Sequence, residues 1–445
     1  MNDKKKNFFG TDGIRGKVGE YPMTVDFTMR LASAIASTLT PKGGTVAIGK
    51  DTRVSGYMFE SALESAFVGF GLKVILLGPL PSPAISQYVR TTDSNFGIVI
   101  SASHNSYEYN GIKIINHDGE KLDSEQEELI ENKITDEPIT KQADNIGKAY
   151  RSSDSRDKYT SLLKTVFLDE VKPLEGLKIV IDTSNGAAYK IGPQLLLELG
   201  AEVIPIACSP NGYNINRNCG STDPETIMNT VSATNSDIGI ALDGDADRII
   251  IIDENGRIVN GDEILYILAR ANINNARFNS KVVGTILSNI GLESSLKEID
   301  IELHRSDVGD KNVFKMMKSI GSNLGGETSG HIIHDDYSPT GDGLLVGLLV
   351  IKESITSKKT ISNLVKDCKL VPQTNINLEI GNVDIQNDFL ESIASRANEK
   401  LGNGRSIIRK SGTEPLIRIL IESDNKEKSN EAIEFIKEEI SKEKK

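Results

Sequence analysis

The sequence predicts an α/β fold: three similar α/β domains with mixed sheets, followed by a smaller C-terminal α+β domain. Three observations carry this expectation. At 445 residues the chain is too long for one compact core and divides into about three or four domains of ordinary size. Up to residue 370, short apolar runs alternate with amphipathic stretches of helical period, the pattern of helices layered on a mostly parallel or mixed sheet. After Cys368 the texture changes, and strands mix with two helices in a shorter module. On this reading the units run over 1–155, 156–256, 257–370 and 371–445.

In the first unit the periodicity predicts a helix over 26–39, a strand over 45–49, a helix over 55–70 and a strand over 73–77. A short helix after Pro83, an apolar strand over 96–100 and a helix over 123–134 follow. The polar stretch 136–156 reads as a connection rather than a core element. The second unit opens with a helix over 158–167 and continues through a strand at 177–181, a helix at 188–199 and strands at 202–206 and 238–242. The third runs from a helix at 262–271, through strands near Val282 and Ile301, to a helix at 341–351. The three cycles look alike in pattern, although no internal repeat in the sequence proves duplication. The closing module is read as a strand at 375–379, a helix at 386–398, strands around Ser406 and at 416–421, and a charged helix at 426–442. Ile433, Phe435, Ile436 and Ile440 mark the inward face of that last helix.

Hydrophobic residues make up 38% of the chain and charged residues 26%, the balance of a globular protein with enough apolar material for buried sheets. A net charge of −12 argues against nucleic acid or an anionic membrane as a general partner, since both need a basic surface. Phosphorylated small molecules need only a local basic pocket and stay allowed. Cys208, Cys219 and Cys368 are odd in number and lack metal-ligand spacing, so a reducing cytoplasm is the expected compartment. No apolar stretch near the N-terminus has the length of a secretory signal, and the apolar segment at 344–351 is far too short for a membrane span.

Two segments carry most of the chemistry. Ser103 lies in Ser101-Ala102-Ser103-His104-Asn105, directly after an apolar strand, and Asp243-Gly244-Asp245-Ala246-Asp247-Arg248 follows another. Carboxylates at i, i+2 and i+4 project from one side of an extended segment or open turn and repel one another unless a cation sits among them. A hard oxygen cage of this kind suits Mg²⁺. A hydroxyl nucleophile and such a cage are the parts of a metal-assisted phosphoryl-transfer enzyme. The cage has a rival reading as a calcium loop, with carboxylates at positions 1, 3, 5 and 12 counted from Asp243. Arg248 stands where that loop needs glycine, and residues 249–252 read as a strand, so the rival is set aside.

The remaining segments are weaker individually. Around Ser103, His104 is either a base or a turn residue, while Gly111 permits a tight turn from which Lys113 aims an ammonium back at the loop. Gly10-Thr11-Asp12-Gly13-Ile14-Arg15-Gly16 suits close approach to an anion. Arg248 either meets a phosphate or neutralises Asp247. Gly326-Glu327-Thr328-Ser329-Gly330-His331 offers a carboxylate, two hydroxyls and an imidazole to sugar hydroxyls. Arg409-Lys410-Ser411-Gly412-Thr413-Glu414-Pro415, followed by Arg418, reads as an anion nest with guanidinium forks.

All five motifs, in this order and spacing and spanning nearly the whole chain, resemble the α-D-phosphohexomutase superfamily. Asn214-Ile215-Asn216 with Cys219-Gly220-Ser221-Thr222 resembles its bacterial glucosamine-phosphate branch rather than the phosphomannomutase branch. The resemblance implies four domains around a central cleft, with Ser103 carrying phosphate and joining Asp243, Asp245 and Asp247 around Mg²⁺. It implies conversion of glucosamine 6-phosphate to glucosamine 1-phosphate through glucosamine 1,6-bisphosphate, or another hexose 1,6-bisphosphate as activator. This would supply UDP-N-acetylglucosamine synthesis. Arg15 and Lys113 are then expected at the transferring phosphoryl group, with His104 or His331 moving a proton at the sugar hydroxyl. Glu327 and Ser329 would hold the sugar, and Arg248, Arg409, Ser411, Gly412, Thr413 and Arg418 would bind substrate phosphate. Sugar phosphates are the implied partners, and a homodimer is the assembly allowed for. One residue departs from the pattern: Ser106 occupies the place usually held by proline, giving the serine loop more freedom in φ. A phosphomannomutase or phosphoglucomutase of the same mechanism, and a phosphosugar-binding protein without turnover, are the competing readings.

Overall fold

Strand-like runs that are apolar on both sides can be buried only between two layers of helices, and the first three sheets are built this way. The computed structural model describes residues 8–134, 136–168, 170–380, 385–410 and 416–443. The first sheet has six strands, in the spatial order Ile14–Lys17, Tyr109–Asn116, Phe96–Ile100, Thr45–Lys50, Lys73–Pro79 and Lys148–Arg151. The second has five, ordered Ile258–Val259, Ile249–Ile252, Ile238–Leu242, Lys178–Asp182 and Glu202–Ile206. The third has four, ordered Glu302–Ser306, Lys281–Thr285, Leu324–Gly326 and Ile332–His334.

One topology recurs in all three sheets. Two parallel strands are followed by a third that pairs parallel to the first on its other side, and a fourth returns antiparallel beside the third. The similarity of the three cycles in the sequence is therefore a similarity of connection. The C-terminal module differs, with a purely antiparallel sheet ordered Gln373–Glu379, Leu416–Glu422 and Arg405–Lys410. It is backed by the helices Asn387–Leu401 and Lys426–Glu443. Ile433, Ile436 and Ile440 face its separate core, and Phe435 packs against that core's edge.

The first three units are not cored separately in the same way. One continuous apolar cluster runs from Ala47 in the first unit, through Ile179 and Ile240, to Leu344 and Cys368 in the third. Among the described residues no helix is long and apolar enough to cross a membrane.

Several expectations need correction. The stretch 136–156 contains the edge strand Lys148–Arg151, paired parallel with Lys73–Leu76. Its polar, largely exposed residues gave no alternating signal, and the neighbouring strand makes it a strand. Gly111 sits in no turn. It lies inside Tyr109–Asn116 opposite Arg15, where an added Cβ would come within 2.6 Å of the Ser101 carbonyl oxygen. Glycine is used there for close backbone approach. The helices Glu225–Thr234, Ile290–Lys297 and Asp310–Ile320 add to those expected from periodicity.

Candidate active site

Each recurring unit ends in its antiparallel hairpin, and each hairpin turn carries one motif. The Ser103 segment links Phe96–Ile100 to Tyr109–Asn116, the aspartate segment links Ile238–Leu242 to Ile249–Ile252, and Glu327 to His331 links Leu324–Gly326 to Ile332–His334. Three segments unrelated in sequence thus occupy equivalent places. The calcium-loop alternative for the second is excluded by its geometry, since a tight β-hairpin holds the aspartates.

Ser103 is buried and adopts a left-handed backbone with φ 51°, a conformation that costs an L-residue energy and needs support from its surroundings. Its Oγ donates to Asp243 Oδ2 at 2.5 Å and lies 3.4 Å from His104 Nδ1. Burial first, then the charges of Arg248 and Arg15, push the His104 pKa down to about 4. The ring is therefore neutral near pH 7 and able to accept a proton.

Asp243, Asp245 and Asp247 are buried and bring one carboxylate oxygen each within 4.8 Å of the others. Burial, reinforced by Asp247 and Asp245, raises the Asp243 pKa well above the ordinary carboxylate value. Burial acts on Asp247 in the same direction, but Lys113 and His331 outweigh it and hold that carboxyl well below the usual range. The Lys113 ammonium contacts Asp245 at 2.9 Å, Asp247 at 3.2 Å and Asp12 at 2.9 Å. Even so, Asp245 Oδ1 and Asp247 Oδ1 are buried with no hydrogen-bond partner among the described residues. Orphaned anionic oxygens facing a third carboxylate fit a divalent cation, and these three residues are able to hold one.

Beside this cage opens a cleft of about 600 Å³, lined in part by Arg15, Arg248, Glu327, Ser329, His331 and Arg418. Glu327 Oε1 accepts the Gly309 N–H at 3.0 Å. His331 is buried with Nδ1 3.6 Å from Asp247 and Nε2 3.4 Å from Asp310. Burial alone lowers its pKa, but the two carboxylates raise it overall. Arg409 and Arg418 face each other across paired strands, and burial together with the Arg418 charge lowers the Arg409 pKa. Arg418 reaches the cleft lining, whereas Arg409 stands outside it. Ser411, Gly412 and Thr413 lie outside the described residues. The C-terminal module is tied to the third unit by Arg405 Nη2, which donates to the Ser288 carbonyl at 2.6 Å.

Residues that sequence reasoning missed complete the network. Asp12 accepts from Arg15, Lys113 and Lys121, and Lys121 also bridges to Asp310. Arg53 and Asn216 hold the Ser103 turn from behind. Arg53 had a readable signal: Asp51-Thr52-Arg53 follows the strand Thr45–Lys50 directly, at the carboxyl end where open α/β sheets hold their ligands.

Four family models match the chain in order. Those for phosphoglucomutase/phosphomannomutase α/β/α domains I, II and III cover residues 6–140, 157–256 and 260–370, and the C-terminal domain model covers 379–439. The chain belongs to the phosphoglucomutase/phosphomannomutase family. Within that family it is 44% identical over 439 residues to a phosphoglucosamine mutase of Aeromonas hydrophila, covering 98% of this chain and 99% of that protein. A phosphoglucosamine mutase of Alcanivorax borkumensis is 45% identical over 423 residues, 94% of each chain. A phosphoglucomutase/phosphomannomutase family protein from Burkholderia thailandensis has the same fold, with a TM-score of 0.84 at 21% identity over 99% of this chain and 98% of that one. The fold also matches Aspergillus fumigatus N-acetylphosphoglucosamine mutase, solved in complex with GlcNAc-6P and magnesium. There the TM-score is 0.70 at 15% identity, over 98% of this chain and 96% of that one. All four matched family domains contribute to the one cleft: Arg15 from the first, Arg248 from the second, Glu327, Ser329 and His331 from the third, and Arg418 from the last.

Proposed function

We propose that this chain is a phosphoglucosamine mutase, interconverting glucosamine 6-phosphate and glucosamine 1-phosphate through phospho-Ser103 and glucosamine 1,6-bisphosphate. The observation that carries the chemistry is Ser103 Oγ at 2.5 Å from the first aspartate of the cage, beside a cleft to which all four domains contribute. The amino sugar is supported by relatives named phosphoglucosamine mutase that match at 44% and 45% identity over nearly the full chain. With its three free thiols the enzyme suits a reducing cytoplasm, where its product would feed UDP-N-acetylglucosamine synthesis.

In the first transfer the bond from Ser103 Oγ to phosphorus breaks as the bond from sugar O1 to phosphorus forms. The O1 proton passes by way of neutral His104 to the departing Ser103 oxygen, which is left as a hydroxyl donating to Asp243. The bisphosphate then turns in the cleft and offers its other end. Ser103 Oγ attacks the 6-phosphoryl group, O6 departs, and the proton held by the protein goes to O6. Asp243, Asp245 and Asp247, with an oxygen of phospho-Ser103, would hold Mg²⁺, which when bound supplies positive charge to the transferring group and to the departing oxygen.

Arg15 stabilises the equatorial oxygens, and Lys113 keeps Asp245 and Asp247 oriented while adding its own charge. His331 fixes Asp247 from the cleft side. Glu327 and Ser329 bind sugar hydroxyls. Arg248 and Arg418 grip the phosphate that is not reacting, with Arg409 adding its charge from the paired strand outside the cleft lining and Ser411, Gly412 and Thr413 the candidates to join them. Because the substrate binds in both orientations, that grip accepts either end of the bisphosphate.

The test compares turnover of glucosamine, glucose and mannose 6-phosphates by enzyme preloaded with a hexose 1,6-bisphosphate. Glucosamine 1-phosphate formed fastest supports the proposal. Faster glucose or mannose turnover moves the substrate and keeps the mechanism, and no turnover leaves a binding protein.

A further inference from the structure

The Ser103 turn is held from behind by two planar donors that come from different domains. Arg53 is fully buried, and its Nε is fixed by Asp51 Oδ2 at 2.8 Å. Its Nη2 donates to the carbonyls of Ser103 and Asn105, both at 2.9 Å, and its Nη1 donates to the carbonyl of Ser106. From the second unit, Asn216 Nδ2 reaches the same two carbonyls, Ser103 at 2.8 Å and Asn105 at 2.9 Å. Gly244 makes room for this arrangement, since a Cβ there would lie 2.6 Å from the Ser103 carbonyl and 2.9 Å from Asn216 Nδ2. On the amide side, Ser103 N–H donates to Ser101 Oγ at 2.9 Å, and Ser101 in turn donates to Asp51 at 2.7 Å. Asp51 thus orients both the guanidinium and the hydroxyl that support the turn.

Both peptide groups flanking Ser103 are therefore tied down, in a residue whose φ of 51° is uphill for any L-side chain and persists only where its surroundings over-determine it. With the carbonyl held on Arg53 and Asn216, the hydroxyl is left pointing at Asp243. Arg53 and Asn216 spend their donors on backbone carbonyls of the turn, on the side away from the hydroxyl, and neither is among the residues lining the cleft. We infer that Arg53 and Asn216 are positioning residues for phosphoryl transfer, clamping the Ser103 turn so that its oxygen keeps in-line geometry. Because Asn216 belongs to the second unit, the clamp also couples the register of the first two domains to the reactivity of the serine. The inference rests on Ser103 as the phosphate carrier.

Misplacing a reacting oxygen by about 1 Å costs roughly 100-fold in rate. The full-length Asn216→Ala variant keeps the buried Arg53 network and is expected to fold. Arg53→Lys keeps the buried charge but loses the fork. For both, the expected result is a kcat lower by roughly 10- to 100-fold, with KM for glucosamine 6-phosphate changed less than about two-fold. Single-turnover transfer from phospho-Ser103 should slow by the same factor, and hydrogen exchange in the 101–108 peptide should accelerate, both read at a temperature where Asn216→Ala is fully folded, since alanine at the left-handed Asn216 backbone (φ 55°) lowers the melting temperature modestly. Wild-type transfer rate and wild-type exchange in Asn216→Ala would overturn the assignment. So would a loss that tracks melting temperature while the phosphorylated, folded fraction transfers at the normal rate. Wild-type enzyme that never loads phosphate on Ser103 would instead overturn the carrier reading on which the assignment stands.

Discussion

Ser103 donates its hydroxyl hydrogen to Asp243 across a separation of 140 residues, so the turns of two different domains meet at one hydrogen bond. The same topology, used twice, brings these turns to the same end of their sheets. A third use brings Glu327, Ser329 and His331 to the wall of the same cleft, with His331 Nδ1 3.6 Å from Asp247.

Replacing Ser103 by alanine should lower turnover by at least about 10⁴-fold, the scale on which loss of a nucleophile acts. Alanine occupies the left-handed position with the same backbone cost, and only the hydrogen bond to Asp243 is lost, so stability should fall by no more than about 1.5 kcal/mol. Steady-state assay beside thermal unfolding separates the two effects.

Asp245 Oδ1 and Asp247 Oδ1 are buried without a hydrogen-bond partner among the described residues, so a divalent cation should stabilise the folded chain by mass action. At 100 times its Kd, Mg²⁺ should add about 2.7 kcal/mol, and a chelator should remove both the gain and the activity. Asp247→Asn should abolish the Mg²⁺-dependent rise in melting temperature. An unchanged melting curve with Mg²⁺ in excess would count against the cage.

Ser106→Pro restores the residue usual in the resembling superfamily. The Ser106 N–H makes no hydrogen bond among the described residues, so no donor is sacrificed. The substitution should stabilise by about 0.4–1 kcal/mol through the unfolded state and leave kcat unchanged, as read by denaturant unfolding and steady-state assay. The hydroxyl's bond to Glu108 is exposed and contributes little.

Asp342 caps the helix Gly343–Ser357 through the Leu345 N–H and accepts the Tyr159 hydroxyl at 2.7 Å, but its other oxygen is buried without a hydrogen-bond partner among the described residues. Burial raises its pKa to about 6. A carboxyl with a folded pKa above its unfolded value binds its proton more tightly in the native state. Its contribution is therefore most favourable below about pH 4 and declines as pH rises to about 6. Asp342→Asn keeps the accepting oxygen and removes the charge. It should be more stable than wild type at pH 7 and show a flatter stability profile between pH 4 and 6, measured by urea unfolding across that range.

The motifs were legible because each is dense in one chemistry and sits just after an apolar strand, as Ser103 does after Phe96–Ile100 and Asp243 after Ile238–Leu242. Their convergence was not legible from spacing, since it depends on three hairpins falling at equivalent places in three sheets. Lys148–Arg151 escaped because pairing, not its own residues, makes it a strand. Gly111 was misread as a turn because only the packed structure shows the Ser101 carbonyl and Arg15 crowding its missing side chain. Asp12 and Asn216 lay in segments singled out in the sequence, but their roles depend on Lys113 and Lys121 and on the Ser103 and Asn105 carbonyls, far away in the chain. Arg53, beside Asp51 at a strand end, carried a local hint that went unread.

The most direct test follows phosphate on Ser103 itself. Enzyme loaded with a hexose 1,6-bisphosphate is mixed with glucosamine 6-phosphate and Mg²⁺, quenched at short times, and read by intact mass and peptide sequencing. The account predicts phosphate on Ser103 alone, its loss within the first turnover, and glucosamine 1,6-bisphosphate appearing in equal amount before glucosamine 1-phosphate. Product formed while the phosphate first loaded on Ser103, marked with ¹⁸O, stays on the serine, or phosphate carried on another residue, would contradict it.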